Sequence, residues 1–179
     1  MSADPRAPAP GEDDVDRIVA AWQRERPDLD VEPLQVLSRI ARLAKQQARL
    51  RDAAFAAHGL DSWEFDVLAA LRRAGSPYEL SPGQLVAETL VTSGTMTTRV
   101  DRLIGRDLVR RRPDPRDRRG VLVQLTDTGR DAVDAAMSSL LDLEHELVAT
   151  LNERDRVGLP DALRRLLLAS TDRSARDYR

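Results

Sequence analysis

The stretch from Tyr78 to Leu125 constrains this chain more than any other. It reads as a short helix, a turn, a second helix, and two strands around a rigid charged loop. The first helix opens at Ser81-Pro82-Gly83-Gln84. Ser81 can cap exposed backbone N–H groups, Pro82 suits the first helical position, and Gln84 can reach back to close a capping box. The second helix opens at Thr92-Ser93-Gly94 and spaces Met96, Val100, Leu103 and Ile104 along one face. Its other face carries Gly94, Thr95, Thr98 and Arg102. Leu108 to Arg112 and Gly120 to Leu125 are the predicted strands, joined by Pro113-Asp114-Pro115-Arg116-Asp117-Arg118-Arg119.

Charge distribution gives this pattern a chemistry. The formal net charge is -2, so the molecule as a whole is not a general binder of polyanions. Between Arg99 and Arg119, however, nine Arg stand against four Asp, a local excess of five positive charges. From Met1 to Pro33 the balance reverses, with nine acidic residues against four Arg. A local basic patch suits a specific reader of nucleic acid, whereas uniform basicity suits non-specific binding. A helix-turn-helix followed by a basic hairpin is the arrangement of a winged helix-turn-helix, with double-stranded DNA as its partner. The expected fold is mainly α (α+β), with long N- and C-terminal dimerisation helices around that element.

The candidate DNA-binding residues follow. On the second helix they are Ser93, Gly94, Thr95, Thr97, Thr98 and Arg102. Arg102 has the geometry to pair with a guanine, Thr95 and Thr98 to meet phosphate or a thymine methyl, and Gly94 to admit a close backbone. In the wing, Arg116, Arg118 and Arg119 are placed to enter a minor groove or clamp phosphates. Asp117 is expected to support the wing by orienting Arg119 through an ion pair. Arg110, Arg111 and Arg112 are weaker candidates.

Other chemistries are poorly supplied. There is no cysteine, which removes disulfides, thiolate metal sites and thiol redox sensing. His58 and His145 are the only histidines, so no metal and no cofactor are expected. His58 reads as a helix cap or dipole partner. No nucleophile elbow, phosphate loop or metal motif is present, and the chain is not expected to be an enzyme. No apolar run reaches membrane-spanning length and no signal peptide precedes the domain, so a cytoplasmic location is expected, with no membrane partner.

The remaining chain frames the winged element. Residues 1–11 are expected to form a disordered tail rich in Ala and Pro. Residues 12–30 form an extra N-terminal helix, with Val15, Ile18, Val19 and Trp22 on one stripe. Residues 31–60 and 127–170 make a helical dimerisation region, residues 61–126 the winged helix-turn-helix, and 171–179 a frayed tail. Within these, a long helix runs from Pro33 to His58 with Gly59 as its cap, and Asp61-Ser62-Trp63-Glu64 starts the helix that ends near Ala74. Leu140, Leu141, Leu143, Leu147 and Leu151, with the terminal leucine cluster, exceed what one small domain can hide. A homodimer resolves that excess; packing against the long Pro33–His58 helix is the competing account.

Several of these segments resemble the multiple-antibiotic-resistance regulator (MarR) family. The likeness lies in Leu80-Ser81-Pro82-Gly83-Gln84-Leu85, in Thr92 to Leu103, in Asp114-Pro115-Arg116-Asp117-Arg118-Arg119-Gly120, and in Leu125-Thr126-Asp127-Thr128-Gly129-Arg130. The resemblance implies a homodimer that represses transcription from a pseudo-palindromic operator until a small ligand releases it. One departure is Asp107, where the family usually has Gly before the wing. Trp22 with Arg24 to Asp30, and Trp63 to Leu68, further resemble the PecS/TamR branch. That branch implies an anionic effector, a carboxylate or urate-like molecule, held by residues matching Trp22, Asp66 and Arg99. An acidic residue of the urate-responsive members falls near Gln84 here, which argues against urate itself. Asp66 lies among apolar residues, so it is expected to be buried and to pair with Arg99, which is expected to point away from the DNA-reading face. The alternative is a DNA-binding regulator, or an architectural or protein-interaction module, with no ligand response.

Overall fold

The computed structural model describes residues 11–117 and 119–177. Residues 1–10 of the tail expected at 1–11, the last two residues and the candidate Arg118 lie outside the described residues. The chain divides into two compact units, residues 1–53 and 54–179.

The first unit holds α1 (Asp14–Glu25) and most of α2 (Glu32–Ala56). Asp13 starts α1: its Oδ1 accepts the N–H of Val15 at 2.7 Å, and its own N–H donates to Asp16 Oδ2 at 2.9 Å. The predicted stripe on α1 splits. Val15 and Val19 are buried with Val31, and Leu34 packs against them, whereas Ile18 and Trp22 are exposed. Arg39 of α2 ties the two helices together. Its Nε donates to Asp13 Oδ2 at 2.7 Å and its Nη2 to Asp16 Oδ1 at 2.7 Å.

The second unit holds α3 (Ser62–Arg73), β1 (Glu79–Leu80), α4 (Pro82–Thr89), α5 (Ser93–Gly105), β2 (Val109–Pro113), β3 (Val121–Leu125), α6 (Asp127–Val148) and α7 (Glu153–Asp177). Gly59 takes the left-handed conformation that the end of α2 needs (φ +67°). Ser81 caps α4 with the full box to Gln84, and Pro82 occupies the first turn. The three strands form one antiparallel sheet in the order β1-β3-β2. β1 is two residues long, too short to show an alternating pattern.

α3 is the centre of the core. Phe65, Val67, Leu68 and Leu71 are buried with Phe55, Leu85, Met96, Val100, Leu103, Val123 and Leu140. Phe55 and Phe65 stack with centroids 3.8 Å apart. Arg72 joins α3 to Asp134 of α6 through a two-pronged contact at 2.8 and 3.1 Å, and that carboxylate raises the guanidinium pKa.

The junction between wing and α6 explains the Leu-Thr-x-x-Gly start. Thr126 Oγ1 accepts the N–H of Gly129 at 3.0 Å and donates to the carbonyl of Asp107 at 2.7 Å. A Cβ on Gly129 would lie 2.0 Å from the Leu108 carbonyl oxygen, so only glycine fits. Asp107 itself adopts φ +55°. The position therefore keeps the left-handed turn that glycine would favour, and Asp is among the residues that tolerate it best.

Candidate nucleic-acid interface

The interface is built on α5. Thr92 starts the helix by accepting the N–H of Thr95 on its hydroxyl at 3.3 Å. Met96, Val100 and Leu103 are buried and Ile104 is half-buried, as their spacing predicts. Ser93, Gly94, Thr95, Thr97, Thr98 and Arg102 are all exposed. The hydroxyls of Thr97 and Thr98 donate to the carbonyls of Ser93 and Gly94, at 3.1 and 3.3 Å. With their protons so engaged, they are better suited to accept from a base or to offer a methyl than to donate to phosphate. Open space surrounds the position a Cβ would take at Gly94.

Arg99 does not point away from this face. Its guanidinium lies over the Trp63 ring, 5.4 Å from the centroid, and that of Arg102 lies over the same ring at 4.9 Å. Residues three apart on a helix are neighbours, so one indole can serve both. Trp63, Thr95, Thr98, Arg99 and Arg102 line a concavity of about 330 Å³. Trp63 was not legible as part of this site from the sequence. Some 36 to 39 residues separate it from the arginines, and its segment pointed to a helix start and to the PecS/TamR resemblance, with no role for Trp63 itself.

Asp66 departs from its expected place as well. It is exposed, and the buried carboxylate of α3 is Glu64. Position 66 falls on the outer side of the helix because Phe65, Val67 and Leu68 fill the inner one. Glu64 Oε2 accepts the N–H of Asp61 at 2.9 Å and pairs with Arg106 Nη1. Arg106 Nη2 also donates to the carbonyl of Gly59 at 2.8 Å. Arg106 caps the C-terminus of α5, so its pair with the buried Glu64 anchors that end of the helix. Trp22 lies on α1 in the first unit and is 47% exposed.

In the wing, Asp117 acts on backbone. Its Oδ1 accepts the N–H of Arg119 at 2.9 Å, where the sequence suggested a pair with the guanidinium. Asp114 does the same for the N–H of Arg116 at 2.8 Å. Both are turn-forming uses of a short carboxylate. Arg116 and Arg119 are exposed. The strand arginines are engaged by protein: Arg111 with Asp101 at 2.8 Å, and Arg110 with the buried Gln124 at 2.9 Å. Gln124 in turn donates to the Pro77 carbonyl at 2.9 Å.

His58 bonds through Nε2 to Ser139 Oγ of α6 at 2.8 Å, a tertiary tie where a helix cap or dipole partner was expected. Among the described residues no group of three or more His, Asp or Glu is placed to hold a metal ion. No helix among them is long and apolar enough to cross a membrane.

A short helix, a turn, an exposed polar helix and a basic antiparallel hairpin together define a winged helix-turn-helix. Comparison with known proteins makes the class narrower. Residues 58–120 match the model of the MarR family. The regulator PecS of Dickeya dadantii is 37% identical over 153 residues, which span 86% of this chain and 92% of PecS. The chain belongs to the MarR family, and it is a transcriptional regulator of that family. A mutant of Escherichia coli MarR complexed with operator DNA superposes with a TM-score of 0.62 at 26% identity, covering 82% of this chain and 97% of that one. BpsR of Bordetella bronchiseptica, whose DNA binding is regulated by 6-hydroxynicotinic acid, superposes with a TM-score of 0.55 at 29% identity, covering 71% and 91%.

Proposed function

We propose that this regulator is a homodimeric repressor that binds a pseudo-palindromic operator and is released by a small anionic ligand. The observation that carries the DNA reading is the exposed face of α5, with Arg102 and the Thr95 and Thr98 hydroxyls beside a basic wing. Ser93, Gly94, Thr95, Thr97, Thr98 and Arg102 meet the major groove. Arg116, Arg118 and Arg119 meet a flanking minor groove or its phosphates. The operator complex of the E. coli relative supports this mode. Exposed leucines on α6 and α7 support the dimer: Leu141, Leu147, Leu163, Leu166 and Leu167 face solvent in a single chain. Two reading heads on a twofold axis match two half-sites, and occupancy of promoter DNA produces repression.

The ligand reading rests on Arg99, with Asp66 on α3 and, by family resemblance, Trp22. An anion that recruits Arg99 draws it from the indole it shares with Arg102. The two arginines lie on one helix, so ligand and DNA compete for one element. BpsR supports a small carboxylate as the ligand class.

The test is a mobility shift with DNA from upstream of its own gene. Binding should weaken steeply between about 50 and 200 mM salt, as expected for a contact that releases counterions. Flat affinity over that range would refute the arginine assignments. Adding citrate, trans-aconitate or urate should release DNA from wild type and not from Arg99→Ala. Equal responses in both proteins would leave a regulator without this ligand site.

A further inference from the structure

We infer that Trp63 is a positioning residue for DNA reading: its indole holds the Arg102 guanidinium extended over α3 before DNA arrives. The inference rests on the DNA reading proposed above. It names a residue on a different helix from the one that reads.

The indole is itself fixed. Trp63 lies in the first turn of α3, and its body packs against the core. Its Nε1–H donates to Asp61 Oδ2 at 3.1 Å, which sets the ring's rotation. The backbone N–H of Asp61 is bonded to Glu64, and Glu64 is buried against Arg106. The first turn of α3 therefore grips α5 at two places. Glu64 holds its C-terminal cap, and Trp63 holds the guanidiniums on its outer face, at 5.4 Å for Arg99 and 4.9 Å for Arg102.

The chemistry suits preorganisation. A guanidinium over an aromatic face keeps its edge N–H groups available, because the attraction is to the ring's electron density. Those edge groups make the two parallel bonds that recognise guanine. A long arginine otherwise loses rotamer freedom when it binds, and a shelf that limits that freedom beforehand reduces the loss. Two cations on one ring also repel each other, so an anion near either one is favoured. The concavity that Trp63 closes is lined by those arginines and by Thr95 and Thr98.

The experiment uses the full chain and a footprinted duplex from upstream of its own gene, with copies substituted at each base pair in turn. Wild type, Trp63→Phe, Trp63→Leu, Arg102→Ala and the double variant Trp63→Leu with Arg102→Ala are compared by mobility shift. Trp63→Leu should lower affinity for the intact duplex by about 2- to 5-fold, the scale of one exposed cation–π contact. Its loss should fall on discrimination at the base pair that Arg102→Ala also ceases to read. Trp63→Phe should restore most of that discrimination. The double variant should be no weaker than Arg102→Ala alone. Equal weakening on every duplex, or additive losses in the double variant, would overturn the inference and leave Trp63 as packing. A readout without DNA separates this from the function itself. In a Trp22→Phe background Trp63 is the sole indole, and Arg102→Ala should shift its emission. No shift would overturn the contact whatever the DNA result. A shift in a protein that discriminates no duplex would instead refute the DNA reading, and the positioning role with it.

Discussion

Helices α5 and α7 both carry apolar residues at helical spacing, and the chain treats them in opposite ways. On α5, Met96 and Leu103 are 0% exposed and Val100 is 2% exposed. On α7, Val157 is 72%, Leu167 68% and Leu163 41% exposed. The α5 stripe meets α3, α4 and the sheet of its own chain, so one copy completes it. The α7 stripe has the composition of a core with no core around it in a single chain. The reading head is thus completed within one chain, whereas the exposed α7 face fits the dimer proposed above.

The largest expected effect comes from spoiling the incomplete side. Leu163→Asp with Leu167→Asp puts two charges on the α7 face. Sedimentation should then report a monomer. Operator affinity should fall by about 100-fold or more, because two linked heads gain that much over one. The thermal midpoint should become independent of protein concentration, as the fold no longer draws on association. A dimer that survives both charges would assign the α7 leucines to another role.

The complete side breaks differently. Gly129→Ala forces a Cβ to 2.0 Å from the Leu108 carbonyl. The junction between wing and α6 must shift, at a cost of about 1–3 kcal/mol. The loss should appear in the midpoint of urea unfolding at every protein concentration, with dimerisation unchanged in the folded protein. A neutral Gly129→Ala would mean that the junction has slack the geometry does not suggest.

The same contrast explains what the sequence revealed. Capping residues act within three or four positions, so Ser81, Thr92, Thr126 and Gly59 announced their helix ends. The buried stripe of α5 was equally legible. Contacts between distant segments were not. Trp63 under Arg99 and Arg102, Glu64 against Arg106, and Gln124 between Arg110 and Pro77 each join residues far apart in the chain. Asp66 shows the cost of reading burial from neighbours alone. Its flanking residues are buried, and a shift of one position turned it outward. Asp107 shows the reverse: the backbone conformation survived a residue that the family pattern does not use.

A smaller effect separates stability from function within α5. Gly94 has open space where a Cβ would go, so Gly94→Ala meets no clash in the protein. Alanine should even favour the helix, by up to about 0.5–1 kcal/mol. If the backbone there approaches DNA, the added methyl should weaken operator binding by about 10-fold, equivalent to about 1.4 kcal/mol. Unchanged affinity with raised stability would remove Gly94 from the contact face.

The smallest expected effect lies in the first unit and depends on pH. Asp13 has a lowered pKa, first because Arg39 bonds its carboxylate. That of Asp16 is lowered too, by the backbone N–H of Asp13 and then by Arg39. Groups with depressed folded pKa stabilise above the ordinary carboxylate value, and that contribution is lost as pH falls through the folded one. The tie between α1 and α2 should therefore be intact at neutral pH and weaken only below the ordinary aspartate value of 3.8. Asp13 is exposed and Asp16 half-exposed, so the change should be small. Arg39→Gln removes the cation at every pH. In a Trp63→Phe background, Trp22 on α1 reports the first unit by its emission. The difference between that background and the same protein carrying Arg39→Gln should be constant at neutral pH and shrink only as pH falls below the ordinary aspartate value of 3.8, as both aspartates become neutral. A difference that persists at the acid end would mean that Arg39 holds α1 by packing, not by charge.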